Sequence, residues 1–184
     1  MSIFGRVATR DKVAVGTQVV RIEDRDRKGP LPVVRDLVVM VARLSSERER
    51  VIAGQNGCCI VLCTPDQIPG FTMEQSVQTI AERFAGSLRG YDSIFRYGRN
   101  KILICLPFVA PREAESVMGR LREIAIGTPI HMPGQRFVTA RVSLGGAMMS
   151  TIDVQDTINR ADRALEQGRM VGGSTVCMWT PDMF

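Results

Sequence analysis

Histidine and most aromatic residues are scarce in this chain of 184 residues, which has one histidine, one tryptophan and two tyrosines. Its five cysteines form no Cys-x-x-Cys pair and His131 is the single histidine, so the sequence lacks the ligand spacing of a typical zinc site. The shortage of Trp and Tyr also argues against a nucleic-acid partner, because single strands bind proteins largely by stacking on such rings. We therefore expect neither a bound metal nor a nucleic-acid-binding surface.

Long apolar runs are also missing. The most apolar stretch, residues 31–44, is interrupted by Arg35, Asp36 and Arg43, and no segment reaches the roughly 18 apolar residues of a membrane-spanning helix. The first residues lack the basic-then-apolar pattern of a signal peptide. Most of the cysteines lie in apolar runs that predict buried strands, which is typical of reduced thiols in a core. These features predict a cytoplasmic protein without a membrane span.

Arginine, by contrast, is abundant. It accounts for 21 of the 24 basic residues, and the formal net charge is +5. The planar guanidinium group binds phosphates and guanine edges through two parallel hydrogen bonds, so the bias suits a nucleotide ligand. It would also suit nucleic acid in general, and a GC-rich genome would produce it without a functional cause. The charge alone therefore selects no partner.

The first 54 residues differ in character from the rest and are interpreted as an N-terminal extension. Residues 12–22 fit a short strand or hairpin, and a charged, turn-like stretch follows them up to Pro30. Apolar residues then recur with helical spacing at positions 34, 37, 38, 41 and 44. This spacing predicts a helix near residues 31–50 that docks on the remaining domain or on a partner.

The remaining residues, 55–184, alternate between strand and helix patterns. Residues 93–97 and 101–106 flank a short Gly-Arg-Asn turn, which is typical of a hairpin. Pro111 and Asp153 suit the first positions of two helices. The predicted elements are a strand at 58–63, a helix at 72–88, the hairpin, a helix from 111, a strand at 137–144, a helix from 153 to about 170 and a strand at 176–179. This order predicts an α+β fold of the ferredoxin-like kind, with an antiparallel-centred sheet and helices packed on one face.

Several phrases of this region resemble one known family in their order and spacing. They are residues 88–92 (LRGYD), 95–98 (FRYG), 138–145 (VTARVSLG) and 160–165 (RADRAL). All four are similar to phrases of the GGDEF domain of diguanylate cyclases, and the resemblance extends from about residue 58 to residue 176. It implies the GGDEF fold for residues 55–184.

The resemblance also shows where this sequence departs from the family. The family's hairpin carries the signature Gly-Gly-Asp/Glu-Glu-Phe, whose glycines approach GTP phosphates and whose acidic pair binds a divalent cation. After Gly98, this chain instead has Arg99, Asn100, Lys101 and Ile102. Lys101 places an ammonium group where the family needs a carboxylate, and the family's metal-binding aspartate corresponds to Thr64. The resemblance therefore implies a degenerate GGDEF domain without cyclase activity, metal or other cofactor.

The family's inhibitory site for its product, cyclic di-GMP, is retained. It consists of Arg-x-x-Asp ahead of the hairpin and a second arginine on the following helix, which correspond to Arg89, Asp92 and Arg120. An arginine can fork onto the O6/N7 edge of guanine, and an aspartate can accept hydrogen bonds from the base N–H groups. The resemblance thus implies that these three residues bind cyclic di-GMP.

The Arg-x-x-Asp motif has little specificity by itself. With 21 arginines and 10 aspartates, about one such match is expected by chance, and Arg21 with Asp24 forms a second match without an assigned role. An alternative is that Arg89 and Asp92 form an exposed ion pair at a helix end, which contributes little to stability. Their position relative to the hairpin turn, together with Arg120, favours the ligand site.

The leading hypothesis from the sequence is a catalytically inactive receptor that binds cyclic di-GMP. It would signal to a protein partner, or to a second copy of the chain, through the helix near residues 31–50. The alternative is a GGDEF-like scaffold that binds no nucleotide and uses the same helix to contact proteins. A third hypothesis, nucleic-acid binding, has only the arginine content and a pI near 9.3 in its favour.

Overall fold

The computed structural model describes residues 32–132, 134 and 136–183. The strand or hairpin predicted at residues 12–22 lies outside the described residues. In chain order the elements are β1 (Val33–Val34), α1 (Leu37–Ile52), β2 (Cys58–Pro65), α2 (Met73–Ala85), β3 (Ser93–Tyr97), β4 (Lys101–Pro107), α3 (Pro111–Gly127), β5 (Ile130–Met132), β6 (Arg136–Val138), β7 (Val142–Met148), α4 (Val154–Met170) and β8 (Val176–Met178). None of the helices in this part of the chain combines the length and the apolar character needed to cross a bilayer.

Six strands form one mixed sheet in the order β1-β3-β4-β2-β7-β8. The four inner strands pair antiparallel, whereas the edge strands β1 and β8 pair parallel to β3 and β7. The predicted α+β class with an antiparallel-centred sheet is therefore confirmed. The β3–β4 hairpin also has its predicted position, with Tyr97 paired to Lys101 across the turn.

The central strand β2 explains how the helices are arranged around the sheet. All eight of its residues are buried, and successive side chains of a strand point to opposite faces. Residues such as Val61 pack in one core with α2 and α3, whereas residues such as Ile60 pack in a second core with α1 and α4. The prediction of helices on one face is therefore wrong. A strand that is apolar at every position is typical of a sheet covered on both sides.

Helix α1 belongs to the second core. It begins at Asp36, whose side chain accepts hydrogen bonds from two backbone N–H groups of the first turn. Met40 and Leu44 are buried against the sheet, and β1, just ahead of the helix, pairs with β3. The helix expected near residues 31–50 thus lies at Leu37–Ile52 and docks on the sheet. The domain boundary at residue 54 stays a prediction.

Two adjacent glycines in β7 allow helices to approach the sheet closely from both sides. A Cβ atom on Gly145 would lie 2.1 Å from the backbone nitrogen of Leu165 in α4, and one on Gly146 would lie 2.4 Å from the sulfur of Met118 in α3. The contact at Gly145 is with backbone and leaves no room for a side chain, whereas the Met118 side chain at Gly146 is flexible and can shift. The structure therefore gives this glycine pair a packing role.

Residues 137–144 do not form the single strand that their alternating pattern predicts. The first part belongs to β6, which pairs with β5 in a separate two-stranded sheet, and the second part belongs to β7, which pairs with β2. The buried Ala140 lies between them. Alternation indicates a strand in both parts, but it does not show that the pairing partner changes.

Candidate functional site

The Arg-x-x-Asp motif forms a tight turn between α2 and β3. The backbone N–H of Asp92 donates to the carbonyl oxygen of Arg89 at 2.9 Å, and the backbone N–H of Arg89 donates to Asp92 Oδ2 at 2.8 Å. Asp92 is only 8% exposed. Its side chain therefore closes the turn, and the interpretation as an exposed ion pair does not fit it.

The carboxyl group of Asp92 lies in surroundings that oppose its charge. Burial raises its pKa to about 6, and this effect outweighs the hydrogen bond from the Arg89 backbone and the positive charges of Arg89 and Arg43, which all lower the pKa. Near neutral pH the group is ionised, but its ionisation costs folding free energy. Shifted pKa values of this kind are concentrated at functional sites.

Arg89 itself is exposed, and its guanidinium group is held beside the turn. Its Nη1 donates to the hydroxyl oxygen of Tyr91 at 2.8 Å, and its Cζ lies 5.8 Å from the centre of the Tyr91 ring. The Tyr91 ring in turn meets the Phe108 ring edge to face, with centroids 5.4 Å apart. A guanidinium group has five N–H donors, so these contacts orient Arg89 without exhausting its capacity for a ligand.

Helix α3 brings Arg120 to this turn. A cavity of about 120 Å³ is lined by Arg89, Asp92 and Arg120 together with apolar side chains. A wider cavity of about 480 Å³ shares Arg89 and Arg120 and extends over Phe108 and Arg112. The structure thus brings together all three residues predicted for the site, and it adds two residues to which the sequence assigns no role there.

Arg43 is a further member of this neighbourhood that sequence reasoning missed. It lies in α1, and it donates to the carbonyl oxygen of Tyr91 at 2.8 Å and to the hydroxyl oxygen of Ser93 at 3.1 Å. It also pairs at 2.8 Å with Glu47, which is only 2% exposed. A largely buried ion pair therefore connects α1 to the Arg-x-x-Asp turn. Helical periodicity gives no signal for such a contact.

The turn of the β3–β4 hairpin lies at another cavity, of about 1340 Å³. Its lining includes the basic residues Arg35, Arg96, Arg99 and Lys101 and the acidic Glu74. The ammonium group of Lys101 forms an ion pair with Asp162 in α4. Over residues 32–132, 134 and 136–183, no three Asp, Glu, His or Cys side chains come together in a way that could hold a metal ion.

Comparison with known proteins identifies the family. The family described as diguanylate cyclase, GGDEF domain, matches residues 72–175, which is more than half of the chain. The chain therefore belongs to the GGDEF family. The matched region runs from the start of α2 to the start of β8, so it contains the hairpin and the three predicted site residues. No curated protein sequence is significantly similar to this chain.

Solved structures of GGDEF proteins share this fold. The GGDEF domain of PA1120 (YfiN or TpbB) from Pseudomonas aeruginosa has a TM-score of 0.71 at 17% identity, over 83% of this chain and 98% of that one. The GGDEF domain of DgcB from Caulobacter crescentus, in complex with c-di-GMP, has a TM-score of 0.68 at 16% identity, over 90% of this chain and 98% of the DgcB domain. The diguanylate cyclase SiaD from Pseudomonas aeruginosa, in complex with its activator SiaC, has a TM-score of 0.65 at 22% identity, over 78% of this chain and 61% of SiaD. This chain thus spans less than two thirds of SiaD, and at such identities the likeness shows the fold alone.

Proposed function

We propose that this protein is a catalytically inactive receptor of the GGDEF family. It binds cyclic di-GMP at Arg89, Asp92 and Arg120 and signals to a protein partner or to a second copy of itself. The observation that carries the proposal is the convergence of these three side chains, two positive and one negative, on one cavity. The DgcB domain was solved in complex with c-di-GMP, which supports the choice of ligand. We place the receptor in the cytoplasm, where its five free cysteines would stay reduced.

The three side chains suit the chemistry of a guanine nucleotide. Arg89 presents N–H donors that match the O6 and N7 acceptors of guanine, and Asp92, once ionised, accepts from the N–H groups on the opposite edge of the base. Arg120 supplies a second positive charge for a ligand that carries two phosphates. The turn occupies Oδ2 of Asp92 with one hydrogen bond, and a carboxylate has further acceptor capacity for a base.

The proposed inactivity rests on the residues at the hairpin turn. A diguanylate cyclase needs a divalent cation there, and such hard cations are held by carboxylate and carbonyl oxygens. Lys101 instead brings a positive charge to this place and pairs with Asp162. Thr64 offers only a hydroxyl group, and the residue is 5% exposed. This donor set does not fit a divalent cation, so we assign no step of the cyclase reaction to these residues.

Incubation of the protein with GTP and Mg²⁺ is expected to yield no cyclic di-GMP, because the turn cannot hold the cation that activates the attacking hydroxyl group. Chromatography of the nucleotides, with an active diguanylate cyclase as positive control, measures this. The variant Lys101→Glu is a matched control: it returns one carboxylate to the turn but leaves Arg99 and Thr64 in place, so it should also be inactive. Formation of cyclic di-GMP by the unmodified chain would contradict the proposed inactivity.

The signal leaves the site through α1 in this proposal. Arg43 joins that helix to the binding turn through the carbonyl oxygen of Tyr91 and the hydroxyl group of Ser93, and its charge is balanced by the buried Glu47. A ligand shifts a conformational equilibrium by its differential affinity for the two states. Cyclic di-GMP would therefore favour the arrangement of α1 that accompanies the ligand-bound turn.

Amide hydrogen exchange tests both binding and signalling. Cyclic di-GMP is expected to slow exchange in the Arg-x-x-Asp turn and, by about tenfold, in the middle of α1, because the ligand immobilises the turn to which Arg43 is attached. The double variant Arg43→Met/Glu47→Gln removes both charges of the buried pair. In this variant we expect the turn to remain protected by the ligand, whereas the protection of α1 should be lost.

The matched control for this experiment is Arg48→Met. Arg48 also fixes α1, but through the carbonyl oxygens of Thr151 and Ile152 rather than through the binding turn, so its loss should leave the ligand effect on α1 intact. Equal protection of α1 in the wild type and in the Arg43→Met/Glu47→Gln variant would rule out Arg43 as the route. Absence of any ligand effect on the wild type would contradict the receptor function itself.

One observation favours the alternative function, a scaffold that contacts proteins but binds no nucleotide. The first turns of α1 expose three apolar side chains, Leu37, Val38 and Val41, with exposed fractions of 64%, 77% and 46%. Adjacent exposed apolar residues are typical of interaction surfaces. Capture of a protein partner that ignores both cyclic di-GMP and the substitution Arg89→Ala would support the scaffold.

A further inference from the structure

The connection between β4 and α3 holds Phe108 in an unusual conformation. Its φ angle is +61°, which lies in the left-handed region that bulky side chains rarely adopt because of steric strain. The strain does not serve burial, since 40% of Phe108 is exposed. Packing of the core therefore does not explain why a phenylalanine is held at this position.

This conformation places the ring at the mouth of the candidate site. Phe108 lines the wider cavity together with Arg89, Arg112 and Arg120. Its ring meets the Tyr91 ring at an interplanar angle of 89°, and the hydroxyl group of Tyr91 accepts a hydrogen bond from Arg89. An aromatic surface is thus fixed beside the guanidinium groups and stays accessible to a ligand.

We propose that Phe108 is a base-stacking residue of this site, on whose ring one guanine base of the ligand lies while Arg89 and Asp92 bind the edge of the base. The inference rests on the proposed receptor function and adds a residue that the Arg-x-x-Asp motif does not contain. Every base has a planar face that can stack on an aromatic ring, whatever its hydrogen-bonding pattern. Phe108 therefore supplies affinity, and Arg89 with Asp92 supplies the discrimination in favour of guanine.

The test is a titration of cyclic di-GMP into the intact chain and into the variants Phe108→Asn and Phe137→Asn. Asparagine tolerates left-handed backbone angles, so Phe108→Asn removes the ring without strain, and its melting temperature should not fall below that of the wild type. We expect Phe108→Asn to weaken binding by about 10- to 100-fold, the range for the loss of one base–aromatic stack. Phe137 is 70% exposed in the β5–β6 hairpin, and its replacement should leave the affinity unchanged.

A third variant, Phe108→Trp, reports on stacking directly. The larger ring should keep or increase the affinity, and its fluorescence should be quenched as cyclic di-GMP binds, with the wild type and its single Trp179 as the background. Wild-type affinity of Phe108→Asn, or an unquenched signal from Phe108→Trp, would overturn the inference and leave the receptor function standing. If the wild-type chain binds no cyclic di-GMP, the receptor function and this inference fail together.

Discussion

Replacement of Arg89 by alanine is expected to weaken the binding of cyclic di-GMP by about 100-fold or more. A bidentate contact between an arginine and guanine contributes about 1–3 kcal/mol, and the substitution also removes a positive charge beside the ligand's phosphates. A tenfold change in affinity corresponds to about 1.4 kcal/mol, so the two losses together reach this magnitude. Isothermal titration calorimetry measures the effect, and the fold should persist because Arg89 is an exposed side chain.

Two further variants test the location of the ligand site and the need for a bidentate contact from Arg89. Arg99→Ala is the matched control, because Arg99 is also exposed but lies at the cavity of the hairpin turn, and it should bind like the wild type. Arg89→Lys keeps the charge but cannot fork onto a guanine edge, so an intermediate affinity is expected. Loss of binding in Arg99→Ala with retention in Arg89→Ala would move the ligand to the hairpin-turn cavity and contradict the assigned site.

Replacement of Asp92 by asparagine is expected to stabilise the fold near neutral pH and to weaken ligand binding strongly at the same time. The pKa of Asp92 is about 6 in the folded protein, against a usual value of 3.8. Each pKa unit corresponds to about 1.4 kcal/mol, so the ionised group costs about 2–3 kcal/mol of folding free energy at neutral pH. Asparagine keeps an oxygen that can accept from the Arg89 backbone but carries no charge, and we expect it to recover about 1–2 kcal/mol, measured by urea unfolding.

The pH dependence of unfolding tests whether the buried charge of Asp92 lowers the stability of the fold. Because the pKa is raised in the folded state, the native protein binds more protons than the unfolded chain between the two pKa values, 3.8 and about 6. The contribution of Asp92 to stability therefore falls as the pH rises through this window and stays constant above it. In Asp92→Asn this fall should be absent. Asp66→Asn is the control, because the Asp66 side chain is 59% exposed and pairs with Arg141 at 3.4 Å, and its loss should change stability by less than about 1 kcal/mol.

The affinity for the ligand should rise with pH, whereas the contribution of Asp92 to stability falls as the pH rises. The ionised carboxylate of Asp92 can accept from the N–H groups of guanine with two charged oxygens, whereas protonation turns one oxygen into an O–H donor and leaves only a neutral acceptor. The affinity should therefore fall as the pH drops below about 6. Asp92→Asn should bind weakly at every pH in this range, because its amide oxygen accepts a hydrogen bond but carries no charge and does not titrate. If the variant is instead less stable than the wild type at neutral pH, the charge is needed to close the turn, and the cost assigned to its burial is wrong.

The helices and the hairpin could be predicted because their signals are local. Thr72, Pro111 and Asp153 stand at the starts of α2, α3 and α4, and a turn after Tyr97 is evident from the sequence alone. The arrangement of helices on both faces is less evident, although the uninterrupted apolar run of β2 carries that information. The change of pairing partner between β6 and β7 could not be predicted, because it depends on contacts between distant segments.

The candidate site was predictable only in part. Arg89 and Asp92 share one turn, and their position relative to the hairpin, rather than their spacing alone, distinguishes them from Arg21 and Asp24. Arg120 follows from the register of the family. Phe108 reaches the site through a left-handed backbone angle, and Arg43 reaches it through the packing of α1 on the sheet. Neither feature leaves a pattern in the sequence. The raised pKa of Asp92 likewise depends on burial, which the motif does not encode.

A calorimetric titration of cyclic di-GMP into the intact chain tests the central claim most directly. It should be made at about pH 7.5, where Asp92, with its pKa of about 6, is ionised, and GTP is the control ligand. We expect saturable binding of cyclic di-GMP with a micromolar or lower dissociation constant, which corresponds to about −8 kcal/mol or better. A flat titration up to near-millimolar cyclic di-GMP would contradict the receptor function and favour the alternative, a GGDEF-like scaffold that binds no nucleotide.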